Sequence, residues 1–188
     1  MRFLYTGLIV ASLLAIQQAE AATTTARLES RFTSGTTPSA NVYVRSGLTD
    51  SLTFTSFFAT SRSYAEGYVG LAYAPSLISG LVSEFEVSIG QEQASGSLRR
   101  EASVFFLWQR LSHLTVVEDG GSGVWYYSQT TWRPHSLIGV GVMGQRYLGW
   151  GPRIDFSIPH TPLTVWGAYS WDREFDTNAG TLGVQAKF

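Results

Sequence analysis

The chain has 188 residues, 13 basic and 14 acidic side chains, a net charge of −1 and no cysteine. A near-neutral balance offers no basic footprint for nucleic acid, and the absence of cysteine excludes both a disulfide framework and a thiol nucleophile. With 14% aromatic residues, only 14% charged residues and 19 glycines, the composition departs from that of an ordinary soluble domain.

At the N-terminus, Arg2 precedes an apolar run over residues 4–16, and Ala19-Glu20-Ala21 places small residues around a cleavage point. This pattern predicts a secretory signal peptide over 1–21 and a mature chain over 22–188. The run falls short of the roughly 20 apolar residues that a spanning helix needs. No later segment is long enough either. Membrane residence would then rest on strands. These must close into a barrel, because in hydrocarbon each unpaired edge amide costs about several kcal/mol.

From residue 24 onward the chain divides into short segments of alternating polarity: 24–33, 40–48, 52–60, 64–74, 81–91, 98–110, 113–119, 124–133, 137–148, 152–158, 163–173 and 179–188. The first puts Ala26, Leu28, Ser30 and Phe32 on one face and Arg27, Glu29 and Arg31 on the other. In 81–91, Phe85, Val87 and Ile89 oppose Glu84, Glu86 and Ser88. The predicted fold is an all-β, up-and-down antiparallel transmembrane barrel of twelve strands, with eight or ten as the alternative. Counting back from Phe188, the turns on the side of both chain ends fall at 159–162, 134–136, 111–113, 75–80 and 49–51. The opposite loops fall at 34–39, 61–63, 91–97, 119–123, 148–151 and 174–178.

Three groups of residues could carry chemistry. His135-Ser136 and Ser112-His113 are adjacent pairs, and adjacent strand residues point to opposite faces, so neither predicts a nucleophile with its base. His113, His135 and His160 all fall in predicted turns. Asp172, Glu174, Asp176 and Asn178 alternate in the manner of a calcium loop. They would present oxygens from one face if the strand ran on, as a weak divalent-cation site without a terminal bidentate carboxylate. The alternative is a solvated acidic loop.

The third group is the set of charges expected in the lumen: Arg27, Glu29, Arg31, Arg45, Glu66, Glu84, Glu86, Arg99, Glu101, Arg153 and Asp155. Charges cannot face lipid at mid-depth, where Arg or Lys costs about 2–4 kcal/mol. Their mixed signs allow either a transverse field or a plug of ion pairs. Trp108, Trp125, Tyr126, Tyr127, Trp132, Tyr147, Trp150, Trp166, Tyr169 and Trp171 suit interface girdles. Inward rings such as Tyr43, Tyr68 and Trp166 forming a sugar-stacking track are the alternative.

Leu182, Val184, Ala186 and Phe188 alternate with Gly183, Gln185 and Lys187, and the chain stops on the aromatic. This tail resembles the closing strand of bacterial outer-membrane β-barrels, which implies that Phe188 serves as an assembly signal read by the barrel-assembly machinery. Residues 149–188, with Gly151-Pro152-Arg153, Pro162-Leu163 and Phe175-Asp176-Thr177-Asn178, resemble the C-terminal hairpins of small proteobacterial transporter barrels. An arginine-lined barrel of twelve strands also resembles the acidic-oligosaccharide porins. Together these imply a monomer in the outer membrane, among its lipids and lipopolysaccharide, passing small polar or acidic solutes without a cofactor. A closed structural or accessory barrel, for example in polysaccharide secretion, is the second expectation, and an outer-leaflet lipid enzyme the third.

Overall fold

The computed structural model describes residues 23–93, 96–121 and 123–188; the predicted signal peptide lies outside them. Twelve strands follow in chain order: β1 (Thr24–Thr33), β2 (Ser39–Gly47), β3 (Leu52–Ser61), β4 (Ala65–Tyr73), β5 (Leu81–Glu92) and β6 (Leu98–Trp108), then β7 (Leu111–Asp119), β8 (Trp125–His135), β9 (Ile138–Gln145), β10 (Gly149–Ser157), β11 (Leu163–Asp172) and β12 (Thr177–Lys187). Each pairs antiparallel with its chain neighbours, and β1 pairs with β12, so the sheet is closed. Closure leaves no strand edge for hydrocarbon to meet. The last residue takes part: Phe188 N–H donates to Ala26 O at 2.8 Å, and Ala26 N–H returns a bond to Phe188 O at 3.0 Å.

Period-2 alternation sorts the side chains as the sequence implies. Phe85, Val87 and Ile89, and Ile154, Phe156, Leu182 and Val184, are exposed on the outer wall. Glu86, Ser88, Arg153, Asp155 and Thr181 are buried inside. Outward aromatic rings mark two levels. Tyr73, Trp108 and Trp132 lie near the end carrying the chain termini, and Phe32, Trp150 and Trp171 near the far end.

Several predicted boundaries shift. The turn expected at 111–113 lies at 109–110, where Gln109 takes a φ of 54°, so His113 sits inside β7. The 124–133 segment runs on to His135 through a bulge between Trp132 and His135. Pro134, which has no N–H to donate, is accommodated there. Gly149, Trp150 and Gly151 belong to β10 rather than to a loop. Gly149 has a φ of 79°, and an added Cβ would lie 1.9 Å from Trp171 O, a position only glycine fills.

Candidate functional site: a lumen with two unlike walls

The barrel encloses a cavity of about 860 Å³. Its lining reaches from Thr25, Arg133 and Lys187 at the terminal end to Ser61, Tyr64 and Val124 at the far end. All eleven charges expected in the lumen line it: Arg27, Glu29, Arg31, Arg45, Glu66, Glu84, Glu86, Arg99, Glu101, Arg153 and Asp155. Among the described residues Arg133, Lys187 and Glu118 also line it, and Glu92 is buried against Arg99.

The charges are segregated. On the wall made by β2 to β7, Glu66, Glu84, Glu86, Glu92, Glu101 and Glu118 face, among the described residues, only Arg45 and Arg99. Arg99 is 1% exposed and is shared by three carboxylates. Nη1 is 2.7 Å from Glu92, Nη2 is 3.1 Å from Glu118, and Nε is 3.9 Å from Glu66. The Tyr68 hydroxyl accepts from Arg99 Nε at 2.8 Å and donates to Glu118 at 2.7 Å, which ties the group together. Arg45 pairs with Glu84. Glu86 accepts from the Tyr43 hydroxyl at 2.7 Å and also from Thr55. In the loop after β3, the Tyr64 hydroxyl donates to Glu66 at 2.6 Å, and burial with that carboxylate pushes it above the ordinary phenol range.

Across the lumen, β1, β8, β10 and β12 place Arg27, Arg31, Arg133, Arg153 and Lys187 against Glu29 and Asp155 alone. Arg31 Nε lies 2.9 Å from Glu29, and Arg153 Nε lies 2.7 Å from Asp155. Arg133 reaches Asp155 at 3.5 Å. Aromatic faces carry the remaining positive charge. Arg153 lies 3.8 Å above the Trp166 ring, Arg31 lies 5.1 Å from the Tyr127 centroid, and Arg27 lies 5.3 Å from that of Tyr43. Trp166 is 1% exposed, and its Nε1 donates to Glu29 at 3.1 Å. It reaches across Gly183, where a Cβ would lie 2.2 Å from the indole.

Arg27 stands apart. It sits directly opposite Lys187, a like charge, and its Nε is buried with no hydrogen-bond partner among the described residues. The buried Asn41 Oδ1 on the neighbouring strand is also unsatisfied. The two residues line the cavity, and among the described residues these buried atoms are a donor and an acceptor left for an ordered water or a solute group to satisfy.

The girdle assignment needs correction at three rings. Trp125, Tyr127 and Trp166 point inward; Tyr127 and Trp166 form a small apolar cluster with Met143, against which Trp125, Leu114, Val116 and Ala168 pack. The acidic run also differs from expectation. The strand ends at Asp172, and Asp176 turns with a φ of 48°. Asp172 Oδ1 is occupied by the N–H groups of Glu174, at 2.8 Å, and Phe175. The single row of oxygens from Asp172, Glu174, Asp176 and Asn178 therefore does not form, and among the described residues no three His, Cys, Asp or Glu are gathered for a metal ion.

The histidines separate as well. His160 lies in the turn before β11 with a φ of 60°, and His135 Nδ1 accepts from Leu137 N–H at the end of β8. His113 is on a strand. It bonds Thr130 and Thr115, on the same face as the exposed Trp132 and Val117, so it faces the outer wall.

No family model and no curated protein matches the chain. Solved structures do. A KdgM porin in complex with disordered oligogalacturonate superposes with a TM-score of 0.61 at 9% identity, covering 87% of this chain and 99% of that one. The NanC porin gives 0.55 at 13% identity, covering 87% and 100%. Outer membrane phospholipase A from Escherichia coli gives 0.54 at 10% identity, covering 87% and 88%. At these identities the likeness is one of fold: the closed β-barrel of this chain has the shape of these porins.

Proposed function

We propose that this protein is an outer-membrane channel for small polar or acidic solutes, such as sugar acids and organic acids. The observation that carries this reading is the segregation of charge across a cavity lined by residues from both ends of the barrel. A transverse field of this kind orients a dipolar or anionic solute, and low-dielectric walls concentrate it. Arginine suits the cationic wall because its planar fork holds a carboxylate through two parallel bonds. The fold likeness to a porin solved with oligogalacturonate supports the same solute class. The tight pairing of Arg99 with Glu66, Glu92 and Glu118 favours a second reading, a closed structural barrel.

Liposome swelling separates the two. Vesicles containing the refolded barrel should swell in an isotonic monosaccharide, and faster in the matching sugar acid. Vesicles that swell no faster than protein-free ones would leave the closed barrel.

A further inference from the structure

On β7 and β8 the polarity rule inverts. Leu114 and Val116 face the lumen, while His113 and Thr115 share the outer face with Ser128 and Thr130. In register, Leu111 opposes Trp132, His113 opposes Thr130, Thr115 opposes Ser128, and Val117 opposes Tyr126. Every outward position between the two aromatic levels on this wall is therefore polar, where lipid calls for an apolar band. The flanking strands keep that band through Val104, Phe106 and Val142.

The four side chains form one chain of hydrogen bonds. His113 Nδ1 lies 2.9 Å from Thr130 Oγ1, and its Nε2 lies 2.9 Å from Thr115 Oγ1. The Ser128 hydroxyl is 3.0 Å from Thr115 Oγ1. With its proton on Nδ1 donated to Thr130, the imidazole accepts the Thr115 O–H at Nε2. A hydroxyl is thus bonded to a base that a third group orients, the arrangement that activates an alcohol nucleophile. Depth supports a lipid substrate. Thr115 and Ser128 lie one outward position below Tyr126, which stacks on Trp150 at 6.4 Å. Two residues of a tilted strand descend about 5 Å. Interface rings sit near headgroup level, so the hydroxyls lie on the acyl side of the far-end aromatic level.

We propose that this outer-wall cluster is an acyl-ester site that takes a glycerolipid from the surrounding leaflet, an activity separate from the lumen. Thr115 Oγ1 attacks the ester carbonyl carbon and passes its proton to His113 Nε2. The tetrahedral intermediate collapses with cleavage of the carbon–oxygen bond to the glycerol. The departing oxygen takes the proton from His113, releasing a lysolipid and leaving the acyl group on Thr115. Water, deprotonated by His113, attacks that ester to release a fatty acid and restore the Thr115 hydroxyl. Ser128 is the nearest hydroxyl donor to the developing oxyanion, and Thr130 is a positioning residue. A single oxyanion donor implies slow turnover.

The test uses the full barrel in detergent micelles containing a phospholipid with self-quenched fluorescent acyl chains. An alkyl fluorophosphonate serves as a covalent probe read by mass spectrometry. Wild type should release fatty acid and carry the probe on Thr115. Thr115→Val and His113→Ala should each lower the rate by more than about 100-fold, while heat-modifiable migration on gels shows that both remain folded barrels. Thr115→Ser should retain activity. Thr130→Val should lower kcat several-fold with KM unchanged, and Thr130→Ser should restore it. Fatty-acid release no greater than that of Thr115→Val, or a probe found anywhere but Thr115, would overturn the proposal. Lumen conductance should be the same in all these variants, so failure of this site leaves the channel reading untouched.

Discussion

The wall around Arg99 and the wall around Arg27 meet the same cost of burying charge in different ways. At Arg99 one guanidinium is shared by three carboxylates and a tyrosine, so the charges satisfy one another and the surplus is negative. At Arg27 the cation stands opposite Lys187, leans on the Tyr43 ring and leaves Nε unpartnered among the described residues. The first arrangement holds the barrel together. The second contributes little to stability and leaves a cation on the cavity lining with one buried donor unsatisfied.

The largest effect should follow from breaking the shared pair. Arg99→Met leaves Glu66, Glu92 and Glu118 buried without their counter-charge, at a cost of about 3–5 kcal/mol. Urea unfolding of the refolded barrel, followed by tryptophan fluorescence, measures it. A loss near zero would mean that the carboxylates are solvated and the wall is not a unit.

A middle effect is expected within the cationic wall, at Glu29. Trp166→Phe keeps the ring beneath Arg153 but removes the N–H donated to Glu29, a hydrogen bond to a charged group worth about 1.5–3 kcal/mol. The same unfolding curves read it. Arg31→Gln removes a direct partner of Glu29 and should add to the loss less than additively, because both changes act on one carboxylate. Full additivity would show that they act separately.

The smallest stability effect, and the sharpest contrast, is predicted for Arg27→Gln. Losing a cation that has no ion pair among the described residues and that faces Lys187 should change stability by less than about 1 kcal/mol. Destabilisation comparable to Arg99→Met would erase the distinction between the walls.

Much of this was legible in the sequence, because the strand period is two and lipid forbids charge. Segments 24–33 and 81–91 announced both faces, and the charges Arg27 through Asp155 fell inside as their types require. The reading failed where that premise failed. On β7 the less polar face, Leu114 and Val116, turns inward to pack against Tyr127, Met143 and Trp166, so Glu118 was not recognised as a lumen residue. The predicted segment 81–91 stops one residue short of Glu92, which ends β5. The sequence predicts His113 in a turn, but the chain reverses at Gln109, a position whose positive φ its side chain does not signal. The spacing of His113 and Thr115 was the available clue, since residues two apart on a strand share a face. At Asp172 the alternation of acids suggested a continuing strand, but an aspartate that bonds the two N–H groups following it ends one.

The central claim is that the cationic wall is open to anions in transit, and the reversal potential of the barrel in a planar bilayer under a potassium chloride gradient tests it most directly. Wild type should conduct and favour chloride at low salt. That preference should fall in Arg27→Gln and further in Arg27→Gln with Arg31→Gln, and should fade near 1 M salt, where screening shortens to about 3 Å. A silent wild type, or a conducting one that favours potassium and is indifferent to both substitutions, would contradict the account.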